Sequence, residues 1–361
     1  VRVAIDANVL EAPWGGIPKY LARIADELVA GGDEVLLLAN TRRLGRPIAG
    51  AVEVGVRVKG TAVWREAFLP LWLARNRPDV LWAPESVLPR FSPVPTAITV
   101  HDLAALRLPE VKPRDHVERF RTAVARSARR ATLVIAVSAA TAADVESFYG
   151  IGADKVRVVP NGVDKAFSPG DRDAARAEVR ERWQIESPYV LHVGSLEPRK
   201  GLDVLIEAAT LAAGEGAEWR LVLAGARGFE GERIEAAARE SGACTLLGPV
   251  DDDELVDLLR GAGALAAPAL YEGFGIAPLE AMACGTPAVI AADSGGLEEV
   301  SAAAAIVVTE RTPEAWRSAL ESAIGPRPPE LVERGLQHAA SFAWRSVAEQ
   351  TRAVLAEAAD P

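Results

Sequence analysis

The stretch YEGFGIAPLEAMACGTP, Tyr271 to Pro287, decides how the chain folds. An apolar run, ALAAPAL, leads into it and reads as a buried strand, and a second run, PAVIAA, follows. Between them Gly273-Phe274-Gly275 forms a loop. Ile276 to Cys284 reads as a short helix that stops at Gly285, with Pro287 beyond. Two strands joined by a helix run parallel, because the helix carries the chain back along the sheet. The stretch also sets Glu272 and Glu280 eight positions apart. Four readings are open for that pair: an acid/base pair, a metal site, a ligand clamp or helix decoration.

Helix geometry narrows them. If the helix fills most of the interval, the carboxylates stand roughly 10 Å apart at 1.5 Å per residue. Carboxylates acting on one glycosidic bond with retention need about 5–5.5 Å. Two hydrogen-bond acceptors gripping different parts of one long ligand fit better. Acidic groups beside a loop suited to phosphate match a nucleotide sugar, whose hydroxyls are donors at both ends.

Outward from this unit the same beat repeats. VRVAIDANVL opens as a buried strand, the turn APWGG follows, and IPKYLARIADELVAGG has helical spacing with a Gly-Gly stop. EVLLLA, DVLWAP, TAITVHD, TLVIAVS and VRVVP are further strands, with a helix over about 115–130. Turn chemistry at Pro160–Asp164 and Phe167–Asp171 reads as a linker. Beyond it YVLHVGS, RLVLAG and CTLLG restart the alternation, with helices from about Leu202 and around Glu232–Glu240. Two doubly wound α/β domains are expected, and ligands of such sheets bind outside the carboxyl ends of the strands.

At 361 residues and 49% apolar, the chain is long for one core and suits two domains. Residues 1–165 carry 23 Lys+Arg against 18 Asp+Glu, and the remainder 17 against 32, so the halves differ in sign and suit different partners. No stretch approaches the roughly 18 uninterrupted apolar residues of a membrane span, and no charged-then-apolar leader opens the sequence. A cytoplasmic protein is expected. Cys244 and Cys284 stand far apart, against a disulfide framework or structural zinc, and read as small buried hydrophobes. GxGxxG after a strand and the Walker motif are both missing, which disfavours a dehydrogenase or a P-loop kinase.

Other strand ends carry candidate chemistry. Gly15-Gly16 precede a helix with Pro18 in its first turn, where free N–H groups attract anions. An ordinary βα turn is the competing reading. His101-Asp102 follows TAITV, where a histidine titrating near neutrality could serve a reacting group or could be merely satisfied at a strand end. Arg199-Lys200 follow YVLHV and could clamp a diphosphate or form a solvated basic turn. His192 reads as packing, and His116 and His338 receive no role.

These residues resemble the retaining glycosyltransferases of family 4. The resemblance spans nearly the whole chain: GGIPKY, HDLAALRLPE, SAATAADV, KVRVVPNGVD, YVLHVGSLEPRKGL, LVLAG and above all YEGFGIAPLEAMACGTPAV. HDLAALRLPE and GSLEPRK look most like a bacterial mannosyltransferase-like branch acting on surface polysaccharides. The resemblance implies the GT-B fold, two Rossmann-like domains facing across a cleft. An acceptor domain would span residues 1–165 plus a returning helix over 344–361, and a nucleotide-sugar domain 166–343. It implies that Glu272 holds donor-sugar hydroxyls and Glu280 the ribose. Gly16, with Gly15, and Gly273, Phe274 and Gly275 would approach the diphosphate and sugar, and His101 would lie by the donor sugar.

Two departures stand out. Members usually carry an arginine directly after the strand-end glycine and a lysine five positions on; Lys200 fits, but the arginine position holds Ser195, so Arg199 is expected to supply the charge. Ser301-Ala302-Ala303 stands where a Gly-Asp pair is usual. The implied reaction moves a hexose, mannose or glucose, from a GDP- or UDP-sugar to a glycan, lipid-linked or small-molecule acceptor. It proceeds by front-face substitution without metal or cofactor. A sugar-nucleotide epimerase or a non-catalytic sugar-nucleotide-binding protein is the alternative. Over 115–130, Val117, Phe120, Val124 and Ala128 share one face and Arg119, Arg126, Arg129 and Arg130 the other; a solvated arginine face is one reading, and peripheral contact with an anionic inner membrane face is the further expectation. Trp64, Phe68, Leu71 and Trp72 read as core, with an acceptor or lipid contact as the alternative.

Overall fold

The computed structural model describes residues 1–12, 15–186, 188–324 and 328–360. Pro13 and Trp14 of the expected APWGG turn lie outside the described residues. The chain forms two compact units. One comprises Val1–Arg107, Arg114–Gly162 and Ala343–Pro361; the other comprises Leu108–Pro113 and Val163–Phe342. Leu108–Pro113, assigned from the sequence to the first domain, thus clusters with the second.

The first unit holds a parallel sheet of β1 (Arg2–Asp6), β2 (Glu34–Ala39), β3 (Val52–Gly55), β4 (Val80–Ala83), β5 (Thr96–Val100), β6 (Leu133–Ala136) and β7 (Val156–Val158). Their order is β3-β2-β1-β4-β5-β6-β7. Strands with both faces covered read as apolar runs: VLWA of β4 and LVIA of β6 are apolar and buried at every position. Ala4, Leu38, Trp64, Leu81, Ile98 and Val134 join one core. The helix Trp344–Ala359 packs on the helix Gly16–Ala30 within this unit.

The second unit holds β8 (Tyr189–Val193), β9 (Arg220–Ala224), β10 (Cys244–Gly248), β11 (Ala264–Ala267), β12 (Ala288–Ala291) and β13 (Ile306–Val308), ordered β10-β9-β8-β11-β12-β13 and parallel. Its core joins Val190, Leu205, Leu221, Val289 and Trp316. The helix expected at Ile276 to Cys284 runs Ile276–Ala283.

Several expectations are corrected. VRVAIDANVL is a strand only to Asp6, because the Asp6 carboxylate accepts from the Asn8 side chain at 2.6 Å and bends the chain into a short 3-10 turn, Asn8–Glu11. The helix over 115–130 runs from Arg114 to Arg130 and widens to a π turn at Phe120–Val124. Its Arg119, Arg129 and Arg130 are exposed, whereas Arg126 is half-buried. Of the aromatic helix, Trp64 is wholly buried but Leu71 is 72% exposed, outside the core. No helix of the described residues is long and apolar enough to cross a membrane.

Candidate active site

Each sheet reverses its strand order once, between β1 and β4 in the first unit and between β8 and β11 in the second. Outside the carboxyl ends of the strands at such a switch point, the flanking loops diverge and leave a ligand crevice. In the second unit the sequences at that point are Gly194–Gly201 after β8 and Pro268–Gly275 after β11.

Backbone geometry presses these loops together. Pro198–Lys200 form a single 3-10 turn that ends at Gly201, whose φ of 66° is left-handed. A Cβ there would stand 2.3 Å from the Pro268 carbonyl oxygen, so only glycine allows the approach. The Leu270 N–H then donates to the Arg199 carbonyl at 2.8 Å. As a result Lys200 Nζ reaches Glu272 Oε1 at 2.5 Å, and the Arg199 guanidinium pairs with Glu272 Oε2 at 2.7 Å. Arg199 also donates to the Tyr271 carbonyl at 2.8 Å and to Glu197 Oε1 at 2.8 Å. Lys112 Nζ donates to the other oxygen of Glu197 at 2.7 Å, and the Ser195 hydroxyl donates to Glu197 Oε1 at 3.1 Å.

The cluster therefore sets three cations against two carboxylates in a largely buried place. Burial alone raises a carboxyl group. At Glu272 the charges of Lys200 and Arg199 outweigh it and hold the carboxyl at about 2. At Glu197 burial is likewise overcome by Arg199 and Lys112, and the carboxyl is held below its ordinary value. Because the folded value at Glu272 is depressed, its stabilisation is present above an ordinary glutamate pKa and is lost as pH falls through about 2. Both carboxylates are thus fully charged at neutral pH.

After Glu272 the chain is held by the turn beyond β12: the Glu272 N–H donates to Ser294 O at 3.0 Å and Gly296 N–H to Glu272 O at 2.8 Å. Gly273 and Phe274 are buried, and Phe274 packs edge-on against Phe342 at 5.9 Å. Gly275 is also left-handed, at φ 86°, and a Cβ on it would strike Leu297 at 2.5 Å. It caps the helix on which Glu280 sits in the second turn, 4% exposed. His192, read from the sequence as packing, is buried in β8 with Nδ1 bonded to Ala266 O at 2.9 Å. Ser301 ends a helix, and Ala302–Ala304 form a 3-10 turn where a Gly-Asp pair is usual.

The remaining candidates belong to the first unit. Gly15 caps the helix Gly16–Ala30 in extended backbone, and a Cβ on Gly16 would meet nothing within 4 Å, so the chain itself does not demand glycine there. His101 follows β5; its Nε2 donates to the Pro84 carbonyl at 2.9 Å and its ring meets Tyr20 edge-on at 4.8 Å. Burial pushes His101 down to about 4, against the Pro84 bond and the Asp102 charge. It is therefore neutral at physiological pH, which corrects the expectation of titration near neutrality. With Nε2 protonated for the carbonyl, Nδ1 is the accepting nitrogen.

Thus Glu272, Arg199 and Lys200 are brought into direct contact, with Gly273–Gly275 and Glu280 continuing from the same loop into the helix. His101 and the helix opened by Gly16 meet through Tyr20. Sequence reasoning missed Lys112, Glu197 and Ser195 as partners of this cluster. The acid beside two adjacent cations in Glu197-Pro198-Arg199-Lys200 was the one local signal; Lys112 lies 85 positions from its partner.

Comparison with known proteins bears on the family and the fold. The model of glycosyl transferases group 1 matches residues 175–334, and that of Glycosyltransferase Family 4 matches residues 14–167. A D-inositol 3-phosphate glycosyltransferase of Acidothermus cellulolyticus is 29% identical over 96% of this chain and 87% of its own length. An O-antigen chain mannosyltransferase B of Escherichia coli is 28% identical over 78% of this chain and 75% of its own. Among solved structures, Anabaena Alr3699/HepE, crystallised with UDP-glucose, superposes with a TM-score of 0.76 at 18% identity, over 98% of this chain and 99% of that one, which bears on the fold alone. With one glycosyltransferase model matched on each half, relatives of that activity along most of the chain and two Rossmann-like sheets, the chain is a glycosyltransferase of the family 4-like GT-B type.

Proposed function

We propose that the chain transfers a hexose, mannose or glucose, from a nucleoside diphosphate sugar to an acceptor hydroxyl with retention of configuration. The observation that carries this reading is the Arg199–Lys200–Glu272 cluster at the switch point of the second sheet. Its excess positive charge suits a diphosphate, and its carboxylate suits sugar hydroxyls. The UDP-glucose of the HepE complex supports a nucleoside diphosphate sugar as donor, and the mannosyltransferase name of the Escherichia coli relative supports a hexose as the group moved.

In this reading the diphosphate leaves from the face on which the acceptor hydroxyl attacks and takes up its proton. Lys200 and Arg199 stabilise the charge that develops on the leaving oxygen, and the N–H groups opening the helix Ile276–Ala283 add to them. Glu272 orients the sugar through its hydroxyls. Neutral His101 serves as a hydrogen-bonding group by the sugar rather than as a proton shuttle. Gly15, Gly16 and Gly273–Gly275 admit the diphosphate and sugar to the backbone, and Glu280 accepts from the ribose.

That last assignment predicts that Glu280→Ala lowers nucleoside diphosphate affinity about 10- to 100-fold, the worth of hydrogen bonds to one charged acceptor. Calorimetric titration with UDP and GDP reads the change, and an unaltered Kd for the preferred nucleotide would remove Glu280 from the site.

The exposed arginines Arg119, Arg129 and Arg130 support contact of the first unit with an anionic membrane surface, at about 1 kcal/mol for each cation near it. Co-sedimentation with phosphatidylserine vesicles at low salt is expected, abolished by raising the salt; no co-sedimentation at low salt contradicts it.

A further inference from the structure

The ladder between β8 and β11, the strands at the switch point of the second sheet, pairs Val190 with Ala264 and Leu191 with Leu265. One step beyond, the side chain of His192 takes over, and its Nδ1 bonds the Ala266 carbonyl at 2.9 Å. A carbonyl oxygen only accepts, so Nδ1 carries the ring proton. Burial pushes His192 down to about 4, and the Lys200 charge acts the same way, against the Ala266 bond and the Glu272 charge. The ring is therefore neutral at physiological pH, and Nε2 is a bare acceptor. The residue is 3% exposed, and Nε2 has no hydrogen-bond partner among the described residues. Packing alone does not ask for histidine there. Leucine or phenylalanine would fill the strand without burying an unmatched acceptor, which is costly.

Nε2 faces the charge cluster. Gly194 follows β8 at φ 150°, and a Cβ on it would stand 3.4 Å from His192 Nε2 and 3.3 Å from Lys200 Nζ. The histidine lone pair and the ammonium thus border one small space beside the Gly194 backbone. That backbone is fixed: the Gly194 N–H donates to Ala224 O at 2.9 Å, and a Cβ on Gly225 would stand 1.9 Å from the Gly194 carbonyl oxygen. An ammonium has three N–H donors, and Glu272 Oε1 accepts from that of Lys200.

We propose that His192 is a positioning residue for Lys200: with a diphosphate in place, Nε2 accepts one N–H of the ammonium while Glu272 and the diphosphate take the others. The inference rests on the reading that Lys200 stabilises the leaving diphosphate. His192 acts through the lysine and touches neither sugar nor phosphate. Being neutral, it sets the direction of the ammonium without cancelling its charge. A lysine anchored by Glu272 alone would follow that carboxylate toward the sugar; a second, uncharged anchor keeps it at the leaving oxygen.

The test sets His192→Asn beside His192→Gln. Asparagine keeps a donor for the Ala266 carbonyl but ends short of the Nε2 position, whereas the glutamine amide oxygen reaches it. Calorimetric titration of the full chain with UDP, UMP, GDP and GMP gives the preference for diphosphate over monophosphate. Turnover of the preferred sugar nucleotide is measured on the same samples. His192→Asn is expected to shrink the preference and lower turnover, each about tenfold, and His192→Gln to recover part of both. In a Lys200→Ala background the same substitution should change neither by more than about twofold, because its effect passes through the lysine. A merely structural role would add its loss in both backgrounds. If His192→Asn does not fold, His192→Phe, which keeps the ring and drops both nitrogens, carries the same expectation. Unchanged preference and turnover, the same loss with and without Lys200, or equal losses in the test variant and His192→Gln would overturn the proposal. Lys200→Ala alone separates the two readings. An intact diphosphate preference there defeats the donor reading; its loss there, with none in the His192 variants, defeats the positioning role alone.

Discussion

Replacing Glu272 with glutamine is expected to slow transfer by about 100- to 1,000-fold, the usual cost of removing one oriented polar group from a reacting centre. Glutamine keeps the volume but accepts sugar hydroxyls without charge. It also takes from Lys200 the carboxylate it pairs with among the described residues, and half of the pairing from Arg199. Those cations then meet a diphosphate with less competition, so nucleoside diphosphate affinity should hold or rise while turnover falls. Removing one partner of a buried ion pair costs about 3 kcal/mol of stability, which thermal unfolding of the variant should register. Product formation under saturating donor, set beside the Kd for the nucleotide, makes the distinction. A variant that lost affinity and turnover in step would show that Glu272 acts on the nucleotide rather than the sugar.

Lys200→Ala should be comparably severe for a different reason. Lys200 is a point charge held over the cluster by the left-handed Gly201, and the account gives it the charge developing on the leaving diphosphate. Turnover is expected to fall about 100- to 1,000-fold. Nucleotide affinity should fall too, and selectively: the preference for a nucleoside diphosphate over the corresponding monophosphate should shrink about tenfold or more. Lys200→Arg should restore part of the preference, because the charge returns in a planar group of different reach. An unchanged ratio of diphosphate to monophosphate affinity in Lys200→Ala would place the lysine away from the phosphates.

Much of this was readable from residues alone, and the reasons are physical. The buried parallel strands are continuous apolar runs, so β8 and β11 were marked, and with them the loops that carry Arg199, Lys200 and Glu272. Glycine and proline punctuated the helix Ile276–Ala283 to within one residue of its end. What escaped was of three kinds. VEVG of β3 and IVV of β13 are short and only partly buried, so they lack the apolar signal that burial imposes. The π turns at Trp64–Phe68 and Phe120–Val124 leave the 3.6-residue pattern nearly intact, yet they shift which residues share a face, as half-buried Arg126 illustrates.

The third kind is long-range electrostatics. Lys112 and Glu197 are distant in sequence, and their pairing follows from Leu108–Pro113 joining the second unit. The same limit hid the state of His101: its position after β5 was legible, but burial and the Pro84 carbonyl that keep it neutral were not.

The central claim is that Glu272 and Glu280 have separate duties, one toward the sugar and one toward the nucleotide. Calorimetric titration of wild type, Glu272→Gln and Glu280→Ala with the preferred nucleoside diphosphate, alongside turnover of its sugar, tests it most directly. The account predicts that Glu272→Gln keeps or tightens nucleotide binding while losing turnover, and that Glu280→Ala loses nucleotide affinity. Two variants with the same pattern in both measurements would contradict it.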